Sequence, residues 1–142
     1  MGIELCKQGK WQRALDFLTS AASSTDPKDL PSGFHSYLGL ATAVVRKELR
    51  SAVRYCELGL KREPDLVENH INFIEVYLRA GQMGKAWEIL TRGLEFAPND
   101  PRLLAIREES FHRQKVTFSF LPRSHSLNIF FGRIRHRRRE RA

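Results

Sequence analysis

The sequence has few cysteines and no long hydrophobic run, and both shortages limit what the protein can be. Its longest apolar stretch, Leu38–Val45, is interrupted by a glycine and a threonine. It is far shorter than the ~18 residues that cross a bilayer. The N-terminal residues lack the basic and then apolar layout of a signal peptide. The two cysteines, Cys6 and Cys56, fall within helical patterns, so we expect buried, reduced thiols and a cytoplasmic protein.

Motifs that carry catalysis or bind cofactors are also missing. The five histidines are scattered, without the spacing of an HExxH motif or of a Cys and His metal site. No glycine-rich phosphate loop follows a strand pattern. Glu108 and Glu109 do not form a catalytic acid pair, because adjacent residues on a helix point to different faces. We predict a protein that is not an enzyme and that uses no metal, other cofactor or small-molecule substrate.

Positive charge is concentrated at the C-terminal end of the chain, whose formal net charge is +8. Residues 1–121 contain 17 Lys and Arg against 15 Asp and Glu, whereas residues 122–142 contain seven Arg and one Glu. The body is therefore nearly neutral, at +2, and the tail carries +6. A basic tail bears on the partners of that segment and not on the fold.

The main feature that the sequence does contain is a repeat of 34 residues. Segments 51–67 and 85–101 share few identities, yet both keep an alanine, a glycine, a leucine and a proline at the same spacing. The matching pairs are Ala52 and Ala86, Gly59 and Gly93, Leu60 and Leu94, and Pro64 and Pro98. Small residues at a fixed spacing predict close helix crossings, and the prolines predict helix ends. One such helix pair cannot bury its apolar face alone, so we expect successive pairs to stack.

The C-terminal repeat shows the clearest helix–turn–helix signals. Its first helix is opened by Asp65 or Glu68 and ended by Gly81, which we expect in the left-handed conformation. After its second helix, Asp100 and Pro101 predict a cap and a first-turn proline of a further helix. The predicted inward residues are Ile71, Ile74, Tyr77, Leu78, Ala86, Ile89, Leu90, Gly93 and Leu94.

The two earlier repeats have the same layout. The middle one has Ser32 as its expected cap and Lys47 at the turn position that Gly81 occupies in the next repeat. Its inward residues are Tyr37, Leu40, Ala43, Val44, Ala52, Val53, Cys56, Gly59 and Leu60. The first repeat has Gly9 at the turn, followed by Ala14, Leu18 and Ala21. From Ala14 to Ala52 is 38 residues, so four extra residues lie in the loop at 23–33.

This pattern resembles the tetratricopeptide repeat (TPR) family over about residues 1–115. The matching positions are Gly2, Ala14, Leu18, Ala21, Ala52, Gly59, Pro64, Tyr77, Ala86, Leu90, Gly93 and Pro98. The chain departs from the family at Ile74, where Gly is common, and at Ala43 and Cys56, where an aromatic and a large apolar residue are usual. The resemblance implies an all-α, right-handed superhelix of about three helix pairs. The first pair begins at the seventh position of its repeat, which leaves open whether the chain is part of a longer protein.

The resemblance also implies where a partner would bind, because the first helices of a TPR array form a concave face that typically holds peptides or proteins. The candidate residues are Phe34, Tyr37, Glu68, Asn72, Glu75 and Arg79, with Leu38, Ala41 and Ile71 beside them. Aromatic rings offer apolar area at low entropic cost, and an asparagine both donates and accepts hydrogen bonds. The alternative is that Phe34, Tyr37 and Leu38 are core residues. The Lys, Arg and Asn cluster that binds chaperone tails is matched only by Asn72.

Residues 116–142 form a separate predicted region, an extended segment followed by a short basic amphipathic tail. Ser124 or Ser126 is the expected cap, and its apolar face consists of Leu127, Phe130, Phe131 and Ile134. The cations are Arg133, Arg135, Arg137, Arg138, Arg139 and Arg141. Four interpretations stay open: a cover docked on the array, an anchor on anionic lipid or a partner helix, an RNA or ribosome contact, and a disordered tail. The layout resembles the end of bacterial TPR proteins of unassigned role.

Overall fold

The computed structural model describes residues 1–112, and the regular structure of this part is entirely helical. Its seven α-helices are α1 Gly2–Lys7, α2 Trp11–Ser24, α3 Phe34–Val45, α4 Leu49–Arg62, α5 Val67–Arg79, α6 Met83–Phe96 and α7 Pro101–Ile106. A 3-10 turn at Pro27–Asp29 precedes α3, and a π-helical turn at Arg107–His112 follows α7. The prediction of an all-α protein is confirmed for these residues. The predictions for residues 116–142, including the arginines from Arg133 to Arg141, lie outside the described residues.

The first six helices form three pairs that follow one another along the chain. In each pair, α1 with α2, α3 with α4 and α5 with α6, a turn of three residues reverses the direction of the chain. Helix α3 also packs against α2 and α5, and α5 packs against α4. The Asn72 amide of α5 donates to the Ser36 hydroxyl of α3 across 3.0 Å. Because both residues lie in the N-terminal halves of their helices, α3 and α5 begin at the same edge.

The three turns within the pairs share one backbone feature, a residue with positive φ. The φ values are 73° at Gly9, 57° at Lys47 and 73° at Gly81. These positions lie 38 and 34 residues apart, the same spacings as the alanines of the repeat. The left-handed conformations predicted for Lys47 and Gly81 are therefore confirmed. Glycine adopts them without strain, whereas the Cβ of a lysine makes them costly.

The ends of the helices differ in part from the expectations. Helices α4 and α6 end one residue before the Glu63-Pro64 and Ala97-Pro98 steps, and the Asp100 carboxylate accepts a hydrogen bond from the Arg102 N–H at 2.9 Å. The prediction that Ser32 caps α3 is wrong, because Gly33 occupies that position. Helix α5 begins at Val67, after Leu66 and without a side-chain cap. Neither Asp65 nor Glu68 therefore caps it.

The acceptor at the start of α3 comes from a distant part of the chain. A carboxylate oxygen of Glu63 accepts a hydrogen bond from the Gly33 N–H at 2.8 Å, and the other accepts one from the Ser32 hydroxyl. The neighbouring Arg62 donates to the Pro27 carbonyl oxygen at 2.8 Å. The end of α4 thus holds the nine-residue connection between α2 and α3, which is longer than the four-residue connections that follow.

The core has two clusters that meet in the middle of the array. One lies between α1, α2 and α3, and the other extends from α3 to Phe111. Trp11 packs against both clusters, so they are continuous. The alanines of the repeat, Ala14, Ala52 and Ala86, are fully buried. No helix within residues 1–112 is long and apolar enough to cross a membrane.

Helices α3 and α4 cross at a glycine that the repeat pattern did not indicate. A Cβ on Gly39 would lie 2.7 Å from both the Ala52 carbonyl oxygen and the Cys56 sulfur. No real Cβ tolerates such a contact, so α3 can approach α4 this closely only with glycine at this position. Cys6 and Cys56 are buried free thiols, as the sequence predicts.

Candidate partner-binding face

Side chains of α1, α3, α5 and α7 lie near one another, and we call the surface that includes them the first-helix face. It consists of Lys7, Tyr37, Glu68, Glu75, Arg79 and Arg102. Lys7 of α1, Tyr37 of α3 and Glu68 of α5 are close enough to interact electrostatically. Arg102, in the first turn of α7, forms an ion pair with Glu68 across 2.8 Å. The starts of α5 and α7 are therefore adjacent as well.

Four of the residues predicted to face a partner lie inside the protein instead, namely Phe34, Leu38, Ala41 and Asn72. Phe34 is 2% exposed and packs in the cluster between α1, α2 and α3. Asn72 is 5% exposed, and its amide is bonded to Ser36, whose hydroxyl donates to the Gly33 carbonyl oxygen at 3.0 Å. These positions are internal because the preceding helices cover that side of α3 and of α5. The expectation that these four residues line an open groove is corrected accordingly, and Phe34 and Leu38 are core residues, as in the alternative interpretation.

Tyr37 is the aromatic residue that remains partly accessible on this face. Its ring lies against the start of its own helix, since a Cβ on Gly33 would be 3.6 Å from the ring. Burial raises the pKa of the Tyr37 hydroxyl, the Lys7 ammonium opposes this shift and the Glu68 carboxylate adds to it. The hydroxyl is therefore neutral at physiological pH and can both donate and accept a hydrogen bond.

The Arg102 guanidinium pairs with two carboxylates, and that of Glu68 is the one close to Tyr37. Its Nη2 lies 2.9 Å from Asp100 Oδ2 and its Nη1 lies 2.8 Å from Glu68 Oε1. The hydrogen bonds from Arg102 are the main cause of the lowered pKa of both Glu68 and Asp100. Arg102 is 50% exposed, Glu68 is 36% exposed and Asp100 is 15% exposed. Solvent screens the pair between Arg102 and Glu68, so this pair adds little to stability. The two ion pairs do hold three charged groups in defined positions.

A second ion pair lies further along α5. The Arg79 Nε is 3.0 Å from Glu75 Oε1, one helical turn away, although the alignment is not that of a hydrogen bond. Both side chains are partly exposed. Glu68, Glu75 and Arg79 lie on one side of α5 because seven and eleven residues are close to two and three helical turns. These three predicted residues thus lie on one side of α5, and Glu68 is the one that lies close to Tyr37.

Polar contacts that position α5 were not predicted from the sequence. The amide of Asn69 donates to the carbonyl oxygens of Gly59 and Glu63, both at 3.0 Å, and so satisfies the end of α4. The Nε2 of His70 lies 2.8 Å from the Pro64 carbonyl oxygen and donates to it. Both side chains are buried. Polar residues beside the apolar stripe of α5 were the signal that could have identified them.

Residues 1–112 contain two cysteine thiols and several side chains of the kinds that can bind metals. No cluster of three or more His, Cys, Asp or Glu side chains within them could hold a metal ion. Burial raises the pKa of the Cys6 thiol to about 11, and burial also raises the pKa of the Cys56 thiol. Both are therefore protonated at neutral pH. No protein-family model, curated protein or solved structure matches the chain.

Proposed function

We propose that this chain is a TPR-like scaffold, a right-handed array of about three helix pairs that binds a protein or peptide without catalysing a reaction. The proposal is supported by the stacking of the pairs in chain order and by the recurrence of their turns at the repeat spacing. A helical array of this kind presents an extended surface on which partners bind. We also propose a cytoplasmic location, in keeping with the two buried thiols.

The observation that carries the binding proposal is the composition of the first-helix face. Tyr37 supplies a flat ring with few rotatable bonds, which is the kind of side chain that dominates binding energies at interfaces. Ion pairs already position the carboxylates of Glu68 and Glu75 and the guanidinium of Arg79. Groups that are ordered before binding lose less entropy when a partner arrives. An extended peptide or a protein surface with polar side chains around an apolar anchor fits this face.

A matched pair of double variants tests the proposal. Tyr37→Ala with Glu75→Ala removes an aromatic ring and an acid from the first-helix face. Phe17→Ala with Glu88→Ala removes the same two kinds of group from exposed positions on α2 and α6. Tagged full-length chains are used to recover partners from the native cell, and bound proteins are quantified by mass spectrometry. We expect at least one partner to fall about tenfold, since loss of one interface anchor can cost more than 1 kcal/mol.

The control variant should recover that partner as well as the unchanged chain does. Circular dichroism melting curves show that both variants are folded, which separates loss of binding from loss of structure. Equal recovery of every partner by the two double variants would place the binding site elsewhere.

The second candidate function is a membrane-surface or RNA-associated or ribosome-associated role of the basic tail. Its support is the charge of +6 within residues 122–142. Deletion of residues 133–142 should then remove binding to anionic vesicles or RNA at about 50 mM salt, a condition that favours phosphate contacts. Phe130→Ser with Phe131→Ser distinguishes the two, because lipid binding needs buried apolar area and phosphate binding does not. Binding that survives the deletion would exclude the tail as its source.

A further inference from the structure

The exposed side of α4 and the turn before it carry cations that form no ion pair within residues 1–112. Arg50 and Arg54 are four residues apart and so lie on one side of α4, and Lys47 precedes the helix in the turn. Arg46 lies just before them in the turn, and all four side chains are exposed. Glu48 is the only acid within residues 46–54. None of the four cations has a carboxylate within ion-pair distance among residues 1–112.

Some cations elsewhere in residues 1–112 have defined partners, whereas Lys10, Arg13, Lys61 and Arg92 also form no ion pair there. Lys7 pairs with Glu4, Arg79 with Glu75, and Arg102 with two carboxylates. Arg62, at the end of α4, donates to a backbone carbonyl of the preceding connection. The cations at the start of α4 are therefore not part of the internal contacts that hold the array together.

The corresponding positions of the other second helices do not carry this charge. Where α4 has Arg50 and Arg54, helix α2 has Gln12 and Asp16, and helix α6 has Gly84 and Glu88. The helix pairs form with neutral or acidic residues at these positions, so the fold does not require cations there. The positive stripe is a property of the middle pair alone within residues 1–112.

A partly exposed aromatic ring lies on the neighbouring side of α4, about a quarter of a turn around the helix from Arg54. Tyr55 is 36% exposed and follows Arg54 directly, and Leu58, 39% exposed, lies one turn beyond Arg54. We call the set Arg46, Lys47, Arg50, Arg54 and Tyr55 the basic face of α4. It combines several unpaired cations with one ring that can accept a stacked base, which is the combination used by proteins that bind single-stranded nucleic acid.

We propose that the basic face of α4 binds single-stranded nucleic acid, with the cations on successive phosphates and Tyr55 against a base. Protein interfaces need an apolar centre that is depleted of charge, whereas Tyr55 and Leu58 are the only large apolar side chains exposed on α4. Insertion into a membrane needs a broad apolar face, which α4 lacks for the same reason. Nucleic-acid interfaces are polar and strongly positive. Its residues differ from those of the first-helix face and from the arginines of residues 122–142.

The test compares two triple variants of the full-length chain. Arg46→Gln with Arg50→Gln and Arg54→Gln removes three cations from the basic face. Arg13→Gln with Lys85→Gln and Arg92→Gln removes three exposed cations from α2 and α6. Both variants have the same net charge, and both keep the arginines of the tail. Fluorescence anisotropy measures their affinity for a labelled oligouridylate of about 20 nucleotides, long enough for known site sizes, at several salt concentrations.

We expect the first variant to bind about tenfold more weakly or worse at about 50 mM salt, and its log–log salt slope to be shallower by about 2, since three phosphate contacts are lost. The control should stay within about threefold of the unchanged chain, because general charge effects are smaller than phosphate contacts. Equal losses in the two variants would overturn the proposal, as would an unchanged chain that does not bind the oligonucleotide at about 50 mM salt.

A single substitution tests the stacking contact separately. Tyr55→Ala should weaken binding about fivefold or more without changing the salt slope, because stacking involves no counterion release. Unchanged affinity would exclude the role of Tyr55. Vesicles with anionic lipid and poly-glutamate serve as competing ligands. If the triple variant loses binding to one of these and keeps its affinity for the oligonucleotide, the face binds that other anion and the proposal is wrong.

Discussion

The junction around Gly59 and the junction around Gly93 have the same geometry and different chemistry. A Cβ on Gly59 would lie 3.2 Å from the Ser36 backbone nitrogen and 3.5 Å from the Asn69 side chain. A Cβ on Gly93 would lie 3.1 Å from His70 and 3.3 Å from Leu103. The contacting residues are themselves 34 positions apart, Ser36 with His70 and Asn69 with Leu103. The close approach of the helices therefore favours glycine at both junctions, whereas the residues that contact the glycine can differ between them.

The difference between the neighbours changes what each junction does. At Gly59 the amides of Asn69 and Asn72 bond to carbonyl oxygens at the end of α4 and to Ser36. At Gly93, Leu103 fills the corresponding space with apolar atoms, and Phe96 lies 5.7 Å from the His70 ring. The first junction is held by hydrogen bonds of neutral groups, whereas the second combines apolar packing with a group that titrates.

The largest effect should come from removing apolar packing at the second junction. Leu103 is fully buried, so Leu103→Ala should lower the free energy of unfolding by about 2–5 kcal/mol through lost burial and the cavity left behind. Urea denaturation of residues 1–142 measures this loss. Leu104→Ala is the matched control at a partly exposed neighbour, and it should cost clearly less. Equal losses in the free energy of unfolding for the two variants would show that the buried packing of Leu103 does not stabilise the second junction.

The alanine positions should behave alike in the two pairs, because both are fully buried where helices cross. Ala52→Leu and Ala86→Leu should each destabilise by about 1–3 kcal/mol, since the larger side chain forces the helices apart. Thermal melting followed by circular dichroism provides the comparison. A neutral result at one of the two positions would show that the repeat spacing does not correspond to the same packing in both pairs.

Acidification should distinguish the junctions through His70. Burial lowers the pKa of this imidazole from its ordinary value of 6.5, and the Arg92 charge adds to the shift, although the Pro64 carbonyl opposes it. The unfolded chain therefore takes up a proton at a higher pH than the folded chain does. Above about pH 6.5 the imidazole is neutral in both states, and the full contribution of this group to the free energy of unfolding is present. That contribution is lost as the pH falls through the lower pKa of the folded state.

Chemical denaturation between pH 7.5 and about 5 should show this loss in the unchanged chain and less of it in His70→Gln. His35, next to Ser36 at the Gly59 junction, is the comparison, because burial and the Arg62 charge lower its pKa as well and His35→Gln measures its own share of the pH dependence. If His35→Gln removes the pH dependence and His70→Gln does not, the titrating group belongs to the Gly59 side of the array.

The repeat spacing could identify turns and helix ends because these depend on nearby residues. The turns have a residue with positive φ at the repeat spacing, at Lys47 and at Gly81. Helix α6 ends shortly before Pro98, as a proline in the sequence predicts. The cap of α3 could not be found in this way, since its acceptor is Glu63, about thirty positions away. Periodicity could assign Phe34 and Asn72 to one side of their helices, but it could not show that preceding helices cover that side. The sequence did not predict the role of Gly39 for a similar reason, because this role depends on the distance between α3 and α4.

The smallest effect should come from the turns, where the middle pair departs from its neighbours. Lys47 has a φ of 57°, whereas the equivalent residue of the next pair is Gly81 at 73°. Lys47→Gly should relieve the strain of a left-handed side chain, partly offset by the greater freedom of glycine in the unfolded state. We expect a gain of roughly 0.5–1 kcal/mol in the free energy of unfolding.

Gly81→Ala should cost a similar amount, although no atom within 4 Å would obstruct the new methyl group. Urea titrations of both variants make the comparison. Opposite signs of the two changes would show that φ alone distinguishes the turns, whereas a loss of stability on Lys47→Gly would show that the lysine side chain makes a stabilising contact at the turn.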